Sequence, residues 1–285
     1  MTLDYDTLMA TTIVDLPLSY RDTETMLYAL SIGFGRDPLD KNELPYVSET
    51  GGMVKTVPAF ATVLIPDMFP PDLGWDYSQV LHAEQRLTLF RPLPPSGDLF
   101  IDKRIVEVFD RGPKLGAMVM FEADGRSAKD GTVLFTLGNT IIARGDGGFG
   151  GPNGKGPVPH RVPRREADLS CDLQTRPDQA LLYRLTGDRN PLHADPNLAR
   201  RVGFDAPILH GLCTYGVACH AILKTICAYD HTLISGLDAR FSSPVMPGDT
   251  ITTDMWQEGN IVSFQCSAKE RGVIVLKNGK CTLSA

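Results

Sequence analysis

Residues Tyr183–Tyr215 decide the fold and read YRLTGDRNPLHADPNLARRVGFDAPILHGLCTY. This stretch places an acid, an amide and an imidazole within six residues, as Asp188, Asn190 and His193. At neutral pH an aspartate is ionised and a histidine is largely neutral, because their ordinary pKa values are about 3.9 and 6.5. Both side chains can then accept a proton from one water molecule. The stretch predicts an acid–base site, with an ordinary helix-capping turn as the alternative.

Pro191 determines the local structure of this stretch. Proline lacks a backbone donor and disfavours helix in the residue before it. We therefore expect helix over Leu182–Thr186, a stop at Gly187 and a turn over Asp188–Pro191. On such a turn the acid and the imidazole can converge on one small molecule. Asp195 is expected to cap a short helix that has proline at its first position.

A long apolar segment follows. Leu212–Ala228 contains no proline and few charges, so its length predicts a buried helix. The start of a helix offers free backbone N–H groups and the positive end of the helix dipole. Gly211 at that start would let a ligand oxygen approach the backbone closely. His210 precedes this glycine and is expected to orient the turn.

Two motifs carry a resemblance to a known family. The motifs are YxLTGDxNPLH, at Tyr183–His193, and PxxHG, at Pro207–Gly211. Together they resemble the type 2, (R)-specific enoyl-CoA hydratases, also called MaoC-like dehydratases. The chain looks most like the hydratase domain of peroxisomal multifunctional enzymes and its bacterial relatives. The resemblance implies an α+β double hot-dog fold, in which two antiparallel sheets are each wrapped on a central helix.

The resemblance also implies an activity and a set of residues. The expected reaction is the reversible hydration of trans-2-enoyl-CoA to (3R)-3-hydroxyacyl-CoA. Asp188 and His193 are the expected catalytic dyad, and Asn190, His210 and Gly211 are expected to bind substrate. The Gly211 N–H would stabilise the developing charge on the thioester oxygen. Acyl-CoA enters as substrate, no metal or redox cofactor is expected, and the resemblance implies a homodimer.

Two other functions remain open from the sequence. A hot-dog acyl-CoA thioesterase would hydrolyse the thioester and release a free thiol. A non-catalytic acyl-CoA-binding protein would tolerate a degenerate site, but it would not explain the intact acid and imidazole. The sequence gives neither the length or branching of the acyl chain nor the direction of the reaction. It also leaves open which member of the dyad is the base and which residues contact CoA.

An internal repeat divides the chain into copies at residues 1–150 and 151–285. The segment Tyr28–Asp40 echoes Tyr183–His193, with Gly35 in the place of Asp188 and Asp40 in the place of His193. The first copy therefore has the turn without the acid and imidazole, and we expect it to accommodate the acyl chain without catalysing the reaction. Its counterpart of the central helix, Pro58–Ile65, is short and is followed by Pro66, Pro70 and Pro71.

Each copy is predicted to place its helices first and a strand meander afterwards. The first helix is expected over residues 22–32. Strands are expected at His82–Phe90, Leu99–Phe109, Ala117–Asp124, Gly131–Ala143, Leu237–Ser243, Thr250–Glu258, Ile261–Ala268 and Val273–Leu283. His82 and Glu84 near the start of one strand are either neighbours of the active site or structural residues.

Composition excludes several classes of function. The net charge is −6, without a basic cluster, which argues against nucleic acid as a partner. No apolar run is long enough to span a membrane. The six cysteines form no C-x-x-C pair, so neither a disulfide framework nor a zinc site is expected. The first residues lack the features of a signal peptide and the last read TLSA, so the cytoplasm is the expected location.

Overall fold

The structure is a computed structural model that describes residues 3–65 and 79–284. Pro66, Pro70 and Pro71, which bear on the predicted end of the first copy's helix, lie outside the described residues. The described strands are β1 (Thr12–Tyr20), β2 (Val80–Leu89), β3 (Gly97–Asp110), β4 (Ala117–Ser127), β5 (Val133–Ala143), β6 (Leu169–Gln174), β7 (Ile234–Phe241), β8 (Thr250–Glu258), β9 (Ile261–Ala268) and β10 (Val273–Leu283). The described α-helices are α1 (Tyr5–Met9), α2 (Asp22–Ser31), α3 (Leu44–Val47), α4 (Gln179–Tyr183), α5 (Pro196–Arg201) and α6 (Gly211–Thr225).

The strands form one continuous antiparallel sheet in the order β1-β3-β4-β5-β2-β7-β10-β9-β8-β6. The first five strands and the last five therefore have the same order within each half, so the internal repeat of the sequence is also a repeat of topology. The two halves join where β2 pairs with β7. The predicted α+β double hot-dog fold is confirmed, with the refinement that the two sheets meet edge to edge.

The prediction that helices come first in each copy was wrong. In the first half β1 precedes α2 and follows only the short helix α1, and the second half begins with β6; each of these strands lies at an edge of the sheet. An edge strand needs no continuous apolar pattern, and it tolerates proline because one side of its backbone is unpaired. Pro17 lies in β1, and the register of this strand shifts between Ile13 and Leu16. The eight predicted strands are present, with ends that move by three residues or fewer.

Charged side chains pair across the seam between the halves. The repeat places Glu84 and Arg86 on β2, and Asp238 and Arg240 on β7. Antiparallel pairing sets Glu84 opposite Arg240 and Arg86 opposite Asp238. The Glu84 carboxylate lies 3.1 Å from the guanidinium of Arg240. Opposite charges at facing positions favour this register over others, because like charges would be juxtaposed if the strands were aligned differently.

Helix α6 is the predicted buried helix of the second copy. Every residue from Cys213 to Leu223 is buried. Gly216 allows α2 to approach closely, because a Cβ at this position would lie 2.6 Å from Ile32 Cγ2 and 2.8 Å from the Tyr28 hydroxyl. The helix ends at Thr225, three residues before the predicted end.

The first copy's counterpart of α6 is the short 3₁₀ helix Pro58–Val63, as predicted. It is almost wholly buried and lies in the main core with α6. A second, separate apolar cluster contains Ile105, Val119 and Phe121 together with Leu8 of α1. The first copy therefore has an apolar cluster of its own, besides the core that it shares with α6.

Candidate active site

The loop between α4 and α5 presents the predicted acid, amide and imidazole. Gly187 ends the preceding helical segment with φ of +135°, a conformation that side-chain-bearing residues rarely adopt. The Asp188 carboxylate accepts a hydrogen bond from the Asn190 N–H at 3.0 Å. The Asn190 side-chain oxygen in turn accepts from the Leu192 N–H at 3.0 Å. These side-chain-to-backbone bonds hold the turn, and they use the Asn190 oxygen to support the loop.

His193 is the best-positioned acceptor of a proton. Its side chain is buried, and Nδ1 lies 2.9 Å from the carbonyl oxygen of Ile208. A carbonyl only accepts, so this contact requires a proton on Nδ1 and leaves a lone pair on Nε2. Burial is the largest influence on the pKa of His193 and lowers it, against the raising effects of the Ile208 carbonyl and the Asp188 carboxylate. At neutral pH the ring is therefore neutral.

His210 contacts both Asp188 and His193 and holds them in place. It is 1% exposed, and its Nε2 donates to the backbone carbonyl of Asp188 at 3.3 Å. Its ring stacks on the ring of His193, with centroids 3.7 Å apart. The ring of Tyr183 also packs against the His210 ring, with centroids 4.9 Å apart. Burial, followed by the neighbouring His193, lowers the pKa of His210. The structure thus connects His210 directly to the loop that carries Asp188 and His193.

The acid and both imidazoles converge. One ligand atom from each of Asp188, His193 and His210 lies within 4.8 Å of the other two. Such a group can hold a water molecule by hydrogen bonds or coordinate a cation. The stacking of the His193 and His210 rings favours a water molecule over a cation. Imidazole lone pairs lie in the ring plane, and an ion bound to both stacked histidines would have to lie well out of each plane.

Gly211 is the first residue of α6, so its N–H has no acceptor within the helix. A Cβ at this position would lie 3.1 Å from the ring of Phe241. The ring therefore packs directly against the glycine, and a larger residue would displace it. The helix start and the Phe241 ring form one wall of the site.

Sequence reasoning missed Phe241 as a neighbour of the site and left the role of His82 open. His82 from the first copy packs its ring on Phe241, with centroids 4.8 Å apart. Burial lowers the pKa of His82 to about 4, although the Glu84 carbonyl, Asn139 and the Asp188 carboxylate each raise it. His82 therefore lies within the electrostatic reach of Asp188. The sequence left its role open, because nothing local shows which face of the strand it occupies.

Comparisons with known proteins agree with this arrangement. Residues 158–279 match the family model of the MaoC like domain, and residues 18–145 match that of the MFE-2 hydratase 2 N-terminal domain. Enoyl-CoA hydratase ChsH3 of Mycobacterium tuberculosis is 37% identical over an alignment that covers 98% of each chain. The chain belongs to the family of MaoC-like dehydratases and type 2 enoyl-CoA hydratases.

Other members of this hydratase family are similar over most of the chain. The peroxisomal enoyl-CoA hydratase 2 of Arabidopsis thaliana is 35% identical and covers 95% of this chain, with 93% of its own length aligned. The crystal structure of a MaoC-like dehydratase from Phytophthora capsici has a TM-score of 0.86 at 30% identity, covering 99% of this chain and 98% of its own. The predicted family is thus confirmed.

The two family matches cover different parts of the candidate site. The loop with Asp188 and His193 lies within the MaoC like match, whereas His82 lies within the N-terminal match.

Within the described part of the chain, no helix has the length and apolar character needed to cross a bilayer.

Proposed function

We propose that this protein hydrates trans-2-enoyl-CoA to (3R)-3-hydroxyacyl-CoA, using Asp188 and His193 to activate water. The convergence of the Asp188 carboxylate with two imidazoles, His193 from the same loop and His210 from the start of α6, carries the proposal. The relatives that are named enoyl-CoA hydratases support the substrate class. The fixed Nδ1–H tautomer of His193 supports its role, because Nε2 remains free to take a proton.

Water is placed between Asp188 and His193. The dyad takes a proton as the water oxygen attacks C3, and a proton from the dyad reaches C2 on the same face. The Gly211 N–H donates to the thioester oxygen, where enolate-like charge develops in the transition state. Preorganised donors of this kind typically contribute about 3–4 kcal/mol to lowering the barrier. His210 holds the loop through the Asp188 carbonyl, and Asn190 holds the turn through its side-chain oxygen.

The two copies divide the work in this proposal. The second copy, residues 151–285, supplies the dyad and the helix start. The first copy, residues 1–150, accommodates the acyl chain. Gly35 and Asp40 cannot reproduce the acid and imidazole, and the short helix Pro58–Val63 covers less of the sheet than α6 does.

The test follows the loss of enoyl thioester absorbance, with chiral analysis of the product. A (3R)-3-hydroxyacyl product supports the proposal, whereas a (3S) product or no loss of absorbance contradicts it. A thiol assay on the same samples detects hydrolysis and would identify a thioesterase. Activity that survives dialysis against EDTA would agree with water held by hydrogen bonds, whereas loss that zinc restores would identify a metal site.

The cellular location and the assembly remain proposals. The cytoplasm and a homodimer are the expected answers, and the Arabidopsis relative is named as peroxisomal. Fractionation of the source cells tests the first, and light scattering on the purified chain tests the second.

A further inference from the structure

A polar patch interrupts the apolar inner face of the first copy. Gln85 on β2 faces Asn139 on β5, and their side chains are 0% and 1% exposed. On one side of this pair lie Leu87 and Leu137 of the main core, and on the other lies Ile141 of the second apolar cluster. Within residues 3–65 and 79–284, neither the Gln85 Oε1 nor the Asn139 Oδ1 atom has a partner at full hydrogen-bond geometry, although the Asn139 side chain lies near enough to the His82 ring to raise its pKa.

A β-bulge brings His82 to the same face. The register pairs His82 with Ile141 and Glu84 with Thr140, so Ala83 is an extra residue on β2. Such a bulge redirects a side chain, and bulges of this kind occur often beside active sites. His82 therefore joins Gln85 and Asn139 on the inner face, beside the catalytic loop.

On β7, the same face of the sheet leads from this patch to the candidate active site. Gln85 pairs with Ala239 on β7, and Phe241 lies two residues further along the same face. Phe241 contacts both the His82 ring and the position of Gly211. The patch from the first copy is thus continuous with the wall that surrounds the proposed thioester site.

A buried acceptor without a partner is costly, so these two oxygens need a donor. In the proposed reaction, the donors beside the reacting carbons are the water that attacks C3 and the 3-hydroxyl group of the product. We propose that Asn139, assisted by Gln85 and positioned by His82, accepts a hydrogen bond from that water and from the 3-hydroxyl group. This assignment rests on the proposed function and adds a specificity residue from the first copy.

The assignment predicts different effects in the two directions. The acyl chain of enoyl-CoA carries no 3-hydroxyl group, so Asn139→Leu should leave its KM within twofold and lower kcat for hydration. 3-Hydroxyacyl-CoA loses a hydrogen bond on binding, so its KM for dehydration should rise by about three- to tenfold. The equilibrium constant requires kcat/KM to fall by the same factor in both directions. A general loss of structure would not separate the two KM values in this way.

Thr140→Val is the matched control. Thr140 is the next residue on β5, is buried, and has a hydroxyl without a partner in the described chain, but it points to the opposite face of the sheet. This variant should leave both KM values unchanged. Asn139→Ala serves as the second variant if the leucine prevents folding, because it removes the amide without adding volume. Equal changes in the two KM values, or none, in a folded Asn139 variant would overturn the assignment.

A binding experiment distinguishes failure of the proposed function from failure of the Asn139 assignment. If the wild-type protein has no hydratase activity, calorimetric binding of 3-hydroxyacyl-CoA and enoyl-CoA still tests Asn139. The wild type should then bind the hydroxyl-bearing thioester more tightly, and Asn139→Ala should remove that preference. No preference in the wild type would overturn the assignment.

Discussion

Replacing Glu43 by alanine should destabilise the folded chain by about 3–5 kcal/mol, because it removes a buried carboxylate that three donors hydrogen-bond. Glu43 is 4% exposed. Its carboxylate accepts hydrogen bonds from His220 Nε2 at 2.9 Å, the Tyr229 hydroxyl at 3.0 Å and the Gly35 N–H at 2.8 Å. The substitution leaves these donors unsatisfied in the core. The acid therefore joins the turn of the first copy to helix α6 of the second.

The pKa of Glu43 gives a second measure of the same interaction. Burial alone raises this pKa, but the His220 hydrogen bond and charge, the Gly35 N–H and the Tyr229 hydroxyl together lower it from 4.5 to about 2. A lowered pKa means that the stabilisation is complete above about pH 4.5 and is lost as the pH falls toward 2. This shift corresponds to about 3 kcal/mol, similar to the estimate from the substitution.

Thermal unfolding at pH 7 measures the effect. A chain of this size shifts by roughly 2–4 °C per kcal/mol, so the melting temperature should fall by roughly 6–20 °C. Glu49→Ala is the matched control, since this acid is exposed on the same segment. The variant lacking Glu43 should also lose less stability than the wild type between pH 5 and pH 2. An unchanged melting temperature at pH 7 would refute the reasoning.

Three further predictions follow from the site and its surroundings. Gly211→Ala should lower kcat by about tenfold or more, because its Cβ would lie 3.1 Å from the Phe241 ring and push that ring away from the helix start; unchanged kcat would contradict this. Asp40→Asn should alter KM or stability more than kcat, and a fall in kcat like that of an Asp188 variant would reveal chemistry in the first copy. The ratio kcat/KM should rise from four-carbon to longer enoyl-CoAs, by as much as about 0.8 kcal/mol for each buried methylene, until the apolar space ends. A steep fall beyond the shortest substrate would show that this space is closed.

Local sequence constraints predicted the backbone of the loop that carries Asp188 and His193 well. Gly187 and Pro191 restrict the backbone strongly at their own positions, so the helix stop and turn could be located without knowing their neighbours. The absence of proline and the low charge over Leu212–Ala228 likewise predicted α6. The edge strands β1 and β6 were missed because they carry a weaker apolar pattern and depend on pairing with one neighbour.

Long-range contacts could not be predicted from local patterns. Glu43 and His220 are 177 positions apart, and neither residue type shows by itself which partner it will meet. The side of the sheet that His82 occupies depends on the bulge at Ala83. A bulge reverses the expected alternation of side chains, so the role of His82 stayed open until the strand register was known.

The most direct test compares Asp188→Asn and His193→Gln with the wild type under saturating enoyl-CoA. Asp37→Asn is the control, because Asp37 caps a similar turn in the first copy by accepting from the Leu39 N–H at 2.9 Å. If the dyad activates water, each catalytic variant should lose about a hundred- to ten-thousand-fold in kcat, while its melting temperature and circular dichroism stay close to wild type. The control should keep wild-type turnover. Wild-type-like kcat in a folded Asp188 or His193 variant would contradict the assignment of this loop as the site of hydration.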